Sequence, residues 1–132
     1  MIYLYLRLKK KLFLDVGSFV STLLILSSSK DDKIISGSHD GNIIVFRRWK
    51  NYTPQFILRG HTGGILTLSI LPDGRLISGT QNSEIRIWDL ETGNCDLIFP
   101  IVHKSMVACI ISTENQIISG GGEDDGMIVI WR

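Results

Sequence analysis

Four groups of side chains in this sequence are of types that can do chemistry. His61 and His103 could serve as bases or as metal ligands. Cys95 and Cys109 could act as thiolates or pair with each other. The run Gly120 to Gly126, GGGEDDG, joins glycines to carboxylates, as phosphate and cation loops do. Arg47 to Tyr52, RRWKNY, interleaves cations with aromatic rings, a pattern suited to stacking on single-stranded nucleic acid.

Spacing weighs against each of these readings. The cysteines lie 14 residues apart, which is neither a CxxC site nor a disulfide framework. They are expected to be small buried hydrophobes in a reducing, intracellular compartment, cytoplasmic or nuclear. GGGEDDG is not GxGxxG, because Asp125 takes the place of the last glycine and no helical pattern follows. It also lacks the alternating ligands and distal Glu of a calcium loop. It is expected to be a turn, with weak divalent-cation binding as the open alternative. RRWKNY falls in a polar connection where charge is normally solvated, so nucleic acid is not the expected partner. Without a nucleophile–base pair, paired acids or a metal cluster, the expectation is a non-enzyme with no catalytic residue, no metal and no cofactor.

Charge points the same way. Fourteen Lys and Arg against 13 Asp and Glu give a net charge of +1, which exerts no broad pull on nucleic acid or an anionic membrane. Hydrophobic residues make up 44% of the 132, enough for a packed core and too many for a disordered tail. The N-terminus, MIYLYLRLKKKLFLDVGSFVSTLLILSSS, admits two readings. Basic Arg7 to Lys11 followed by apolar Leu12 to Leu26 could be a secretory leader. Asp15 inside the apolar run, and the apolar residues ahead of the charges, favour strands instead. No uninterrupted apolar stretch is long enough to span a bilayer, so no membrane is expected.

The elements that must position the histidines emerge from a repeat. IISG stands at Ile34 to Gly37, LISG at Leu76 to Gly79 and IISG again at Ile117 to Gly120, at offsets of 42 and 41. A second marker follows each: IIVF ending at Phe46, IRIW ending at Trp88 and IVIW ending at Trp131, at offsets of 42 and 43. The 42-residue gap between His61 and His103 is this same period. A repeat of about 40 residues means stacked supersecondary units. The units are built of strands. Ile65 to Leu71 is a dense apolar run, Pro72-Asp73-Gly74 is a turn, Leu76 begins a second strand and Ile85 to Trp88 a third. Glu91 to Asn94 turns the chain again, and Cys95 to Phe99 suggests a fourth strand.

The segment Gly60 to Cys95, GHTGGILTLSILPDGRLISGTQNSEIRIWDLETGNC, resembles a WD repeat. The resemblance extends over about residues 15 to 132, strongest in the middle repeat and weakest in the first. It implies an all-β fold, a WD-repeat β-propeller of three four-stranded antiparallel blades, forming an open arc or part of a larger ring. The repeats run over about residues 15–57, 58–99 and 100–132 of one partial propeller domain, 1–132, and residues 1–14 would supply an extra outer strand. In the family, the GH histidine, a Ser or Thr, an acid and a Trp form a buried hydrogen-bond chain. Carried onto this sequence, the last repeat supplies His103, Ser119, Asp125 and Trp131, and the middle repeat His61, Ser78, Asn82 and Trp88. Asn82 replaces the acid, which implies a weaker network. The first repeat keeps Ser36 and Asp40, but Phe46 cannot donate and Val16 stands near the His position.

The resemblance also implies a binding protein. Partner proteins or peptides would dock on loops before the first and third strands of each blade. The positions are Thr62 and Gly63 after His61, Lys104 and Ser105 after His103, and the turn residues His39, Gln81 and Asp124. Some family members dock a ubiquitin-ligase adaptor through a Trp-Asp-x-Arg/Lys box, but here Glu91 takes the fourth place. A substrate-recruiting subunit of an enzyme complex such as a ubiquitin ligase stays the alternative function. Three blades cannot close a ring. Either two copies complete one, exchanging the N-terminal strand, or the chain is a fragment whose missing blades lie elsewhere, a reading that the degenerate first repeat favours.

Overall fold

The computed structural model describes residues 12–28, 31–48 and 51–132. They form eleven strands in three antiparallel sheets stacked side by side. The first blade holds β1 (Val20–Leu26), β2 (Lys33–Ser38), β3 (Ile43–Arg47) and β4 (Thr53–Leu58), hydrogen-bonded in that order. The second holds β5 (Ile65–Ile70), β6 (Leu76–Thr80), β7 (Ile85–Trp88) and β8 (Cys95–Ile98). The third holds β9 (Val107–Ser112), β10 (Ile117–Gly121) and β11 (Ile128–Trp131). The chain is all-β, as expected, but among the described residues the third blade has three strands rather than four. The extra strand expected over 1–14 falls mostly outside the described residues, and Leu12 to Leu14 are not strand.

Local chemistry explains the meander. Isoleucines and leucines suit a pleated surface, and each sheet turns back through short polar connections. In the second blade the Leu71 carbonyl accepts from the Gly74 amide at 2.9 Å, with Gly74 at φ +89°. Only glycine adopts that backbone at no steric cost. Equivalent registers recur between blades: Ile35 pairs with Val45, Ile77 with Ile87 and Ile118 with Ile130.

The core lies between blades rather than within them. Ile35, Ile43 and Val45 of the first blade pack on Ile65 and Leu68 of the second. Ile77, Ile85 and Ile87 of the second pack on Val107 and Ile110 of the third. Each fully buried side chain of this kind stabilises by roughly 1.5–3 kcal/mol. Glycine lets the sheets approach: a Cβ on Gly79 would lie 2.7 Å from Val107 Cγ1. Burial fades outward, and every residue of β8 is exposed. This corrects the expectation for the cysteines. Cys95 sits on that outer strand, Cys109 on β9 of the third blade, and both are exposed. No helix among the described residues is long and apolar enough to cross a membrane.

Candidate functional site

Each of the last two blades encloses a directed chain of hydrogen bonds. In the third blade, Trp131 Nε1 donates to Ser119 Oγ at 3.2 Å, and Ser119 Oγ lies 2.8 Å from His103 Nε2. His103 Nδ1 meets Asp125 Oδ2 at 2.7 Å, and the same oxygen accepts from the Lys104 amide at 3.0 Å. Because the indole can only donate, the serine hydroxyl is free to give its proton to Nε2, which places the ring proton on Nδ1 facing the carboxylate. Hydrogen bonds from His103 and the Lys104 amide hold the Asp125 carboxyl below its usual range, although burial, the largest single influence, pushes it up.

The second blade repeats the chain with one exchange. Trp88 Nε1 donates to Ser78 Oγ at 2.8 Å, and His61 Nε2 lies 2.7 Å from the same oxygen. His61 Nδ1 then meets Glu84 Oε2 at 3.1 Å, not Asn82. Glu84 Oε1 accepts from both the amide and the hydroxyl of Thr62. Asn82 is exposed; its Nδ2 donates to Thr62 Oγ1 at 2.6 Å and its Oδ1 accepts from Thr80. The expected place of Asn82 in the buried chain is therefore corrected to Glu84. The side chain of Glu is one methylene longer, so it reaches the histidine from the foot of β7. An acid directly before a third strand was the available signal.

These environments set the charges. Burial drives His61 below its usual pKa despite the nearby Glu84, so the ring is neutral near pH 7. Burial alone would raise Glu84, but the Thr62 donors and His61 together outweigh it and hold the carboxyl at about 2. Among the described residues the first blade has no such chain. Asp40 is exposed and binds Ser38 Oγ at 2.5 Å and the Asn42 amide at 3.0 Å. The pairing is a clasp across the β2–β3 turn, with Ser38 rather than Ser36 as the partner. Ser36 is buried, and Phe46 fills the place of the indole.

A serine, a histidine and an acid at these distances have the outline of a hydrolytic triad. Three observations remove that reading. Ser78 and Ser119 are completely buried. Each serine oxygen is already occupied by an indole N–H. In the second blade, substrate would have to displace Trp88, which is 1% exposed, from the core. Among the described residues no group of three His, Cys, Asp or Glu side chains is placed to hold a metal ion.

The exposed candidates gather along one rim. The β2–β3 turn of the first blade abuts the loop before β5: a Cβ on Gly64 would lie 3.0 Å from the His39 carbonyl and 3.3 Å from Gln81 Oε1. The Gln81 amide donates to the Gly64 carbonyl at 3.0 Å. Ser83 Oγ in turn donates to the Ser105 carbonyl, and Ser105 Oγ to the Glu123 carbonyl at 2.6 Å. Thus turn and loop alternate across all three blades, with His39, Thr62, Gln81, Lys104 and Asp124 exposed. Gly63 is buried against Asn82 and Ser105 is half-buried, so neither stands out from the rim. Asp124 holds a left-handed backbone, φ +67°, at the tip of the GGGEDDG turn.

Two other sequence features are absorbed into structure. Arg48 pairs with Asp32 at 2.7 Å and Arg47 with Asp31 at 3.3 Å, so each of these two arginines has an acidic partner; Trp49 and Lys50 lie outside the described residues. Glu91, after Trp88-Asp89-Leu90, reaches Lys33 of the first blade at 3.5 Å.

A family model described as "WD domain, G-beta repeat" matches residues 52–89. "Cell division control protein 4" of Saccharomyces cerevisiae is 32% identical over 83 residues, 61% of this chain and 10% of that protein. "Nuclear distribution protein PAC1" of Yarrowia lipolytica is 30% identical over 108 residues, 75% of this chain and 24% of that protein. The chain thus spans a quarter or less of the length of these relatives. The WD40 β-propeller domain of Doa1 superposes with a TM-score of 0.72 at 21% identity, covering 84% of this chain and 36% of that one. A chain of the Mitotic Checkpoint Complex gives 0.73 at 24% identity, covering 85% and 34%.

Proposed function

We propose, from the premise that the chain belongs to the WD40-repeat β-propeller family, that it is a non-catalytic scaffold whose rim of turns docks partner proteins or peptides. One observation carries this reading. The exposed side chains of His39, Thr62, Gln81, Lys104 and Asp124 project from neighbouring turns, which approach closely between the first two blades and are tied by the Ser83–Ser105 hydrogen bond between the second and third, while Ser78 and Ser119, the groups with nucleophile outlines, are fully buried. Rigid mounting matters because a pre-formed surface loses little conformational entropy on binding. The rim is mixed in charge, so it suits polar recognition of a peptide or loop rather than capture of a strongly charged ligand.

The alternative is a substrate-recruiting segment of a larger protein in an enzyme complex, such as a ubiquitin ligase. Its support is the small share of each relative's length that this chain spans. On either reading the rim is the contact surface.

The test places a photo-crosslinking residue at Gln81 or Lys104, and as a control at Arg75 in the turn after β5. Specific adducts from cell extract at the rim positions, lost when Thr62 and Asp124 are changed to Ala, are expected. Equal labelling from all three positions, or none from the rim, sinks the proposal.

A further inference from the structure

The second blade is covered on both faces within the chain, by the first blade on one side and the third on the other. Blades stack through their faces, so any further sheet beside the first or third blade leaves the outer edge of the second open. That edge is β8. Leu97 stands opposite Ile87, and the Phe99 amide donates to the Ile85 carbonyl at 3.0 Å. In an antiparallel ladder the residues between such positions turn their N–H and C=O groups the other way. Asp96 and Ile98 therefore point theirs outward, away from β7, from a strand whose four residues are all exposed.

The outer strand of the first blade is guarded against pairing, whereas β8 is not. β4 holds Pro54, which has no N–H, and is followed by the charged Arg59. Proline and cations on an outer strand discourage the addition of another strand. β8 holds neither, and its one charge, Asp96, is met by Arg75 at 3.6 Å. The connection after β8 departs from the repeat in the same direction. Leu58 stands opposite Ile43 as Phe99 bonds to Ile85, so Arg59 and Gly60 before His61 correspond to Pro100, Ile101 and Val102 before His103. Apolar side chains thus replace a cation at an exposed place: Ile101 is 70% and Val102 41% exposed. Ile98 is 57% exposed, and it shares a sheet face with Arg86, on the side that the first blade already covers.

We propose that an extended segment of a partner protein, uncharged and rich in β-branched or aromatic residues, adds to β8 as a fifth strand of the second blade. Its amides and carbonyls bond those of Asp96 and Ile98, which gives affinity. Its alternate side chains lie beside Ile98, with Ile101 and Val102 extending the apolar contact, which gives specificity. A strand edge with unpaired backbone groups is complementary to another strand and to little else. The surface lies apart from the rim of turns, so it stands independently of the scaffold reading.

Short random peptides displayed against the 132-residue chain supply the probe. Enriched peptides are expected to be apolar at alternate positions, and synthetic copies to slow amide exchange at Asp96 and Ile98. N-methylation of every second peptide residue is expected to weaken binding about tenfold in one phase and little in the other, because only one set of amides faces β8. Ile98→Pro removes an outward donor, and Ile98→Lys keeps it but sets a charge on the edge. Both are expected to weaken binding, while Gln81→Ala on the rim leaves it unchanged. No enriched peptide, equal loss in both N-methyl phases, binding that survives both Ile98 variants, or loss on Gln81→Ala overturns the proposal. So does slow exchange of the Asp96 and Ile98 amides in the chain alone, because a second copy or another segment then already holds the edge.

Discussion

Glu84 Oε2 stands 3.1 Å from Nδ1 of His61, two residues beyond the Asn82 that occupies the expected acid position. The second blade thereby keeps an ionised acceptor for its histidine. Asp125 does the same work in the third blade through a single oxygen; its Oδ1 is buried without a partner, while both oxygens of Glu84 are used.

The substitution Glu84→Gln is expected to destabilise the chain by about 1.5–3 kcal/mol, the range for a hydrogen bond to a charged group. Asn82→Ala, at an exposed site, is expected to cost less than about 1 kcal/mol. Urea midpoints of the two variants decide the matter: the reverse order would return the acid's role to Asn82.

Stability should fall with acid in two windows. His61 titrates below its usual 6.5 in the fold, so the unfolded chain binds the extra proton and stability declines as pH drops from 6.5. Glu84 at about 2, against the usual 4.5, contributes stability that is present above pH 4.5 and lost on the way down to 2. Asp125 and Asp40, both lowered, act in the same direction below 3.8. Denaturant midpoints across pH 2 to 8 should show Glu84→Gln with a shallower acid limb. An unchanged limb would remove Glu84 from the account.

Ser78 links His61 to Trp88, so Ser78→Ala leaves two buried nitrogens without their partner. A loss of about 1–3 kcal/mol is expected for each unsatisfied group. Indole emission should report it, because the Trp88 N–H loses its acceptor; an unperturbed spectrum and midpoint would contradict the directed chain.

At Gly79 an added methyl would meet Val107 at 2.7 Å, Thr67 at 2.9 Å and Ile110 at 3.0 Å. Gly79→Ala is expected to cost about 1–3 kcal/mol by wedging the second and third blades apart. At Gly126 no atom lies within 4 Å, and the same change should be close to neutral. Thermal melts of the pair test whether close sheet approach, rather than backbone freedom, explains the glycine that ends each IISG or LISG.

The 42- and 41-residue offsets, the Pro72-Asp73-Gly74 turn and dense apolar runs such as Ile65 to Leu71 are local properties, and they were enough to specify a repeat of short strands; the antiparallel blades followed from the resemblance to WD repeats. The same period marked His61, Ser78 and Trp88, and His103, Ser119 and Trp131, as equivalent sets. Tertiary structure decided what depends on reach and on which face meets a neighbour. Sequence position favoured Asn82, yet it was side-chain length at the foot of β7 that brought Glu84 to the histidine. Cys95 and Cys109 are of a type that often fills cores, yet both are exposed, because the buried clusters here form between the sheets and neither cysteine faces one of them.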